Sequence, residues 1–467
     1  MRLDLITVRD WTATRFAVEP AANAEALGYS IDSRTLRPGD VFFAVVGERF
    51  DGHAFVEKAF QAGACAAVIA ASRASQYSAD PGRPLLLADD PVAALQRLAA
   101  SVRRHWGGRV IGITGSAGKT TTKEAVAQVL ASRFHVIKSQ GNLNNHLGLP
   151  LQLLRLEPEH EVAVMEMGMS HAGEIAALGK IAAPDWGIVT NIGMAHAENF
   201  PDGQAGIARA KYELIASLPS TGTAILNCDD PYVAQFGRDF RGKVIYFGTG
   251  ACAVLRAEQV EPLGLEGTRF WMATAEQRAP VHLRLMGMHN VRNALAAAAA
   301  GLASGIPLEA CAAALSDLEA GDKRGQSEMI FGATVINDCY NSNPAALRAM
   351  VDTLTTVPAE RRIVVAGEML ELGPEAAAQH KECGRYMARQ GVAQVIGVRG
   401  LAKEIAAGAE AAGAPASFVD TPEEAGAWLA ANLRPGDAVL LKASRGVRLE
   451  RAIDVLRQAA TERKAKF

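Results

Sequence analysis

Lys119 and Thr120 are the residues whose types and spacing most directly imply chemistry. They stand in RVIGITGSAGKTTTKE, residues 109–124. Val110 to Thr114 reads as a short buried strand, Gly115-Ser116-Ala117-Gly118 as a loop of small residues, and Lys119-Thr120-Thr121-Thr122 as the opening of a helix through Ala125, Val126 and Leu130. Such a strand, loop and helix start make a phosphate cradle, because backbone N–H groups of the loop and of the helix N-terminus point at anionic oxygens. Lys119 would sit on the β- and γ-phosphates of ATP and the Thr120 hydroxyl on Mg²⁺. The strict P-loop pattern needs glycine six residues before the lysine, where this chain has Ile113, so the pattern is the shorter Gly-x-x-Gly-Lys-Thr. The competing reading is an ordinary glycine-rich turn between strand and helix, and the order of strand, loop, Lys-Thr and helix favours the cradle.

Other polar residues fall where strands are expected to end. Val162 to Met167 is apolar except for Glu166, and ligand sites in parallel α/β sheets lie at the C-terminal strand edge. A carboxylate there fits a second contact to a metal on the phosphates, whereas a buried Glu with no partner would be costly. The strand from Asp185 ends in Asn191-Ile192-Gly193-Met194-Ala195-His196, which puts His196 on the same rim as either a ligand or a structural histidine. Asn142, Asn144 and Asn145 could bond a polar substrate or could be turn chemistry. Lys211 lies on a helix from about Gln204 to Leu218, where the residues alone read as a solvated lysine.

The elements that position these residues follow an α/β rhythm. The 467 residues suggest about three domains. With 49% hydrophobic and 21% charged residues, the chain has ample material for cores. Residues 1–108 read as a small α/β module, with Ser33 and Arg34 before one strand and Gly47-Glu48-Arg49 after it. These flanking groups could meet a diphosphate or nucleotide, or could be solvated loops. Residues 109–322 read as a parallel sheet around the cradle, followed by antiparallel strands from about Lys243 to Leu285 and an alanine-rich helix opened by His289-Asn290-Val291-Arg292-Asn293. From residue 323 to 467, strands and helices alternate again as a Rossmann-like sheet without Gly-x-Gly-x-x-Gly. Its polar loops are Asp338 to Pro344, Gly367 to Gly373 and Lys442-Ala443-Ser444-Arg445, each following a strand.

Composition narrows the function classes. The net charge of −2 and the lack of a basic stripe speak against nucleic acid as a partner. The six scattered cysteines contain no Cys-x-x-Cys, which predicts free thiols in a reducing compartment and no zinc cluster. The opening MRLDLITVRDW has no apolar run of the kind a signal peptide needs, and the apolar run 294–303 is too short to span a bilayer. A cytoplasmic location with no membrane insertion is expected.

Taken together, IDSR, GERFDGH, TGSAGKTTTKE, GNLNNHLGLPL, EMGM, NIGMAHAENF, ARAK, HNVRNALAA, DCYNSNPAALRAM, GEMLELG and KASRG resemble the Mur ligase family over essentially the whole chain. YNSNP followed by GEMLELG is similar to the members that add D-alanyl-D-alanine, and the Asp-Asn-Pro-Arg motif of the diaminopimelate-adding relatives is absent. The resemblance implies three domains: one for UDP-N-acetylmuramoyl-tripeptide, one for ATP and one for the incoming dipeptide, in an expected monomer of peptidoglycan precursor synthesis. It implies amide ligation through an acyl phosphate. It assigns Thr114 to Thr121, Asn293, Arg324 and Asp338 to ATP, Thr120 and Glu166 to one Mg²⁺, and His196 with a carbamylated Lys211 to a second. Lys119, Glu166, His196 and Lys211 are the implied catalytic residues. Ser33, Arg34, Gly47, Glu48, Arg49, Asn142 and Asn145 go to the uridine substrate, and Tyr340, Asn341, Asn343, Lys442, Ser444 and Arg445 to the dipeptide.

Overall fold

The computed structural model describes residues 1–21, 24–47, 50–78 and 80–464. The expected contacts of Glu48 and Arg49 therefore lie outside the described residues.

A five-stranded sheet comes first, with strands Arg15–Phe16, Leu85–Ala88, Ala66–Ala70, Asp40–Phe43 and Gly28–Ser30 side by side in that order. The helix Pro91–Trp106 closes this part. Asp90 caps its first turn and Gly107, at φ 71°, ends it in the left-handed conformation that glycine adopts without strain. One face of this helix joins the first sheet and the next into a continuous core, with Ala94, Leu95, Leu98 and Val102 all fully buried.

The central sheet has nine strands: Arg278–Leu283, Thr268–Ala273, Leu255–Pro262, Lys243–Gly248, Thr223–Asn227, Trp186–Val189, Arg109–Thr114, Val162–Glu166 and Val136–Lys138, in spatial order. The sequence groups Lys243 onwards as antiparallel, but Lys243–Gly248 and Leu255–Pro262 run parallel to Thr223–Asn227, and only Thr268–Ala273 runs the other way, between Leu255–Pro262 and Arg278–Leu283. Lys243–Gly248 is a continuous apolar run, Val244 to Phe247, which suits a strand of either direction. On one face, the Lys119–Leu130 helix packs near the helix Met288–Ala303. Alanines 294 and 296–300 of the latter are wholly buried, so small side chains let the two approach closely. Register explains the site: Ile113 lies beside Glu166 and Thr114 beside Val189, so these strands end along one edge.

The third sheet has six strands in the order Gln326–Ile330, Ala333–Asn337, Asp437–Lys442, Arg361–Gly367, Gln394–Val398 and Ala416–Val419. All but the first are parallel, with helices and apolar clusters on both faces. The edge strand Gln326–Ile330 is polar and mostly exposed, and its sequence carries no strand pattern.

One expectation is corrected. Cys228 and Cys252 form a disulfide, while Cys65, Cys311, Cys339 and Cys383 are free. Cys228 follows Thr223–Asn227 and Cys252 precedes Leu255–Pro262, and the strand between them in the sheet holds those two ends together. A separation of 24 residues carries no such signal in the sequence. Among the described residues, no helix is long and apolar enough to cross a membrane.

Candidate active site

The cradle forms because Gly118 stands at φ 82° and a Cβ there would meet Asn293 Oδ1 at 2.5 Å, so only glycine fits between loop and helix. Asn191 shapes the loop: its Oδ1 accepts from the Ala117 N–H at 3.0 Å and its carbonyl from the Ser116 N–H at 2.9 Å. Lys119 Nζ donates to the Gly115 carbonyl at 2.8 Å. Burial lowers the Lys119 pKa, Glu166 works against that shift and Arg324 adds to it.

Glu166 is buried and fully engaged. Its Oε2 accepts from the Thr120 hydroxyl at 2.9 Å and its Oε1 from Asn144 Nδ2 at 2.8 Å. A carboxylate and a hydroxyl in contact at a phosphate cradle are hard oxygen donors, and they fit Mg²⁺. Asn144 anchors the carboxylate, a role that its place in a run of asparagines does not reveal.

These groups line a cavity of about 1350 Å³ between the central and third sheets. Of the expected residues, Ser116 to Thr121, Asn142, Asn145, Glu166, His196, Asn293, Arg324, Asp338, Tyr340, Asn341, Asn343, Lys442 and Arg445 all face it. Arg324 bridges its walls, with Nη2 donating to Thr120 Oγ1 at 3.0 Å and its guanidinium 3.7 Å above the Tyr340 ring. Lys442 pairs with Asp338 and donates to the Asn341 carbonyl at 2.9 Å. Asn142 and Asn145, expected at the uridine substrate, share the wall with the cradle residues.

Other expected residues lie off this wall. Thr114 ends the strand behind the loop and is fully buried, and Gly115 opens the loop off the cavity wall. Ser444 ties loops together, accepting from the Leu370 N–H at 2.9 Å. Ser33, Arg34 and Gly47 belong to the first sheet's loops. Arg34 is 78% exposed and forks onto Asp32, whose pKa it holds down at about 2. Lys211 is not a solvated helix lysine: it is 2% exposed. Burial, reinforced by Lys119, pushes its pKa well below the ordinary lysine value. Helix periodicity alone does not show that this face turns inward.

His196 lies on the rim with φ 64°, its Nδ1 2.5 Å from Glu371 Oε2 of the third sheet's loop. His289, Asn290 and Arg292 also face the cavity, and Arg292 Nε donates to Asp229 Oδ2 at 2.9 Å. The position of His289 to Arg292 at the start of a helix was the available signal; Asp229 had none.

Known proteins share this architecture. Three family models match: Mur ligase family, catalytic domain, over residues 26–103; Mur ligase middle domain over 113–301; and Mur ligase, glutamate ligase domain, over 325–445. The UDP-N-acetylmuramoyl-tripeptide–D-alanyl-D-alanine ligase of Bacillus subtilis (strain 168) is 36% identical over 432 residues, covering 91% of this chain and 92% of the relative. The crystal structure of MurF from Acinetobacter baumannii superposes with a TM-score of 0.89 at 30% identity, covering 98% of this chain and 99% of that one. That of MurF ligase from Thermotoga maritima in complex with ADP gives 0.82 at 28% identity, covering 94% and 99%. With matched segments in each of the three large sheets and close relatives along nearly its full length, this chain belongs to the Mur ligase family.

Proposed function

We propose that this protein is an ATP-dependent amide ligase that joins D-alanyl-D-alanine to the peptide carboxylate of UDP-N-acetylmuramoyl-tripeptide, in peptidoglycan precursor synthesis. The observation that carries this reading is the cavity in which the Lys119–Thr120–Glu166 cluster faces Tyr340, Asn341 and Lys442 of another sheet. The tripeptide carboxylate attacks the γ-phosphorus of ATP, the bond to the bridging oxygen breaks, and an acyl phosphate and ADP result. The dipeptide amine then attacks the acyl carbon, loses a proton, and inorganic phosphate leaves.

Two anions must meet in the first step. The Lys119 ammonium offsets that repulsion and stabilises the charge on the transferred group. Loop N–H groups and the helix start bind the phosphates. Thr120 and Glu166 would hold Mg²⁺, which when bound adds positive charge at the phosphates, and His196 and Lys211 would serve a second ion. Burial of Lys211 beside Lys119 favours the neutral amine, the form that can react with CO₂. Asn293 and Asp338 are assigned to the nucleotide; Tyr340, Asn341, Asn343, Lys442 and Arg445 to the dipeptide.

Residues 1–108, 109–322 and 323–467 are taken as the uridine-substrate, ATP and dipeptide units, with Ser33, Arg34 and Gly47 at the uridine diphosphate. The exposed guanidinium of Arg34 supports a ligand there. A cytoplasmic monomer is the expected state. The test is phosphate and ADP release over a panel of UDP-muramoyl peptides with and without D-alanyl-D-alanine. Release should require both the tripeptide and the dipeptide; release indifferent to the dipeptide would overturn the reading.

A further inference from the structure

The segment Glu368 to Gly373 stands outside the reaction just described, yet it is built against the rim of the cavity. Its backbone is held from behind. The Met369 N–H donates to His380 Nε2 at 2.9 Å, the Leu370 N–H to Ser444 Oγ at 2.9 Å, and Met369 and Leu372 are buried. Its front touches the central unit at three places, and Met194 packs beside it. Glu371 Oε2 lies 2.5 Å from His196 Nδ1. The Glu198 N–H donates to the Glu371 carbonyl at 3.4 Å. A Cβ on Gly373, at φ 66°, would come within 2.9 Å of Glu198 Cα, so only glycine allows the approach. Met194 packs against the apolar cluster of the third sheet. Glu371 itself takes φ 66°, a conformation rare for a side chain other than glycine and tolerated where surroundings impose it.

We propose that Glu371 is a positioning residue for His196, supplied by the opposite unit. The carboxylate oxygen touches Nδ1, which is buried and has no aligned hydrogen bond; a turn of the ring that aligns the two would select the tautomer protonated at Nδ1 and leave the Nε2 lone pair for a cation, the arrangement in which an outer carboxylate orients a metal-binding imidazole. Because the carboxylate and the imidazole sit on different sheets, His196 is oriented only while the third sheet is docked. The carboxylate thereby links docking to readiness of the rim. This inference rests on the ligase reading for its kinetic arm and on geometry alone for its spectroscopic arm.

The experiment uses the full chain, labelled with ¹⁵N-histidine and assigned with His196→Gln, in four forms: wild type, Glu371→Ala, Glu371→Gln and the exposed control Glu375→Ala. Glu371→Ala should lower kcat at least about tenfold, while KM for ATP stays within about twofold. In the same variant the His196 nitrogen signals should move from the Nδ1-protonated pattern towards the Nε2-protonated one. Glu371→Gln, whose amide oxygen still accepts from Nδ1–H, should recover most of both, and Glu375→Ala should match wild type. Unchanged His196 signals in Glu371→Ala would overturn the proposal, even with a lower kcat, since the residue would then act elsewhere. A kcat within about twofold of wild type would overturn it as well. If the wild type shows no dipeptide-dependent phosphate release, the ligase reading fails and the nitrogen signals alone decide the contact.

Discussion

The Thr120 hydroxyl donates to Glu166 Oε2 at 2.9 Å, joining the first turn of the cradle helix to the end of the neighbouring strand. The contact joins residues 46 positions apart. It exists because Ile113 and Glu166 are partners in the sheet, which brings the strand end level with the loop.

Glu166→Gln keeps the shape and removes the charge. The amide can still meet Thr120 and Asn144, so the melting temperature should change little. Without the carboxylate, turnover should fall on the order of 100-fold, and added Mg²⁺ should restore only part of it. Steady-state kinetics over a Mg²⁺ series, with thermal melts, checks this.

Lys211→Arg should be as damaging as Lys211→Ala. The side chain is buried close enough to Lys119 to feel its charge, so a permanent cation there adds repulsion that the native amine avoids by staying neutral. Wild-type activity should also rise when bicarbonate is returned to CO₂-depleted buffer. Normal turnover by the arginine variant, with no response to bicarbonate, would mark the lysine as structural.

Asn343 has two candidate duties that substitutions can separate. Its Oδ1 accepts from the Ala346 N–H at 2.9 Å and caps the helix Pro344–Thr356. Asn343→Ala should therefore cost about 1 kcal/mol of stability whatever the substrate does. Asn343→Asp keeps the cap, so a higher KM for D-alanyl-D-alanine in that variant, at unchanged melting temperature, identifies a dipeptide contact. Unchanged kinetics leaves capping as the residue's duty.

His289 predicts a pH dependence. Burial pushes its pKa from 6.5 down to about 4; Asp338 opposes the shift, and Lys442 and Arg292 add to it. Its Nδ1 is buried without a hydrogen-bond partner. The folded ring stays neutral, while the unfolded ring binds a proton below its ordinary pKa, so the unfolded state holds more protons in this window. The stability that His289 contributes is thus complete above about pH 6.5 and is lost towards pH 4, by roughly 2 kcal/mol. Urea denaturation of wild type and His289→Gln at pH 7.5, 6, 5 and 4.5 should show a smaller loss in the variant.

What could be read from the chain was whatever one segment carries by itself. Gly118-Lys119-Thr120 announces itself because strand, loop and helix start are contiguous. Glu166 stands out as a charge at the end of an apolar strand. Asn144 does not, since its partner lies 22 residues away and nothing local separates a carboxylate anchor from a turn asparagine. Arg324 on Thr120 spans 204 residues and depends on how two sheets meet. The burial of Lys211 was hidden for the same reason: the covering surface comes from elsewhere. The disulfide between Cys228 and Cys252 follows from strand order, which no spacing rule encodes.

Arg324 gives the stretch between the second and third sheets an unusual sensitivity to length. Residues 317–325 carry the chain from the helix Leu308–Ser316 to the strand Gln326–Ile330, and on the way they deliver a guanidinium that rests on Tyr340 and reaches Thr120. Inserting or deleting one residue here would shift that side chain along the backbone by about 3.5 Å, more than the reach of a hydrogen bond. Extra residues in the hairpin turn at Thr274 to Gln277, between the strands Thr268–Ala273 and Arg278–Leu283, would displace nothing that faces the cavity. Gains and losses of sequence over evolutionary time should accumulate in such hairpins and be purged from the crossing.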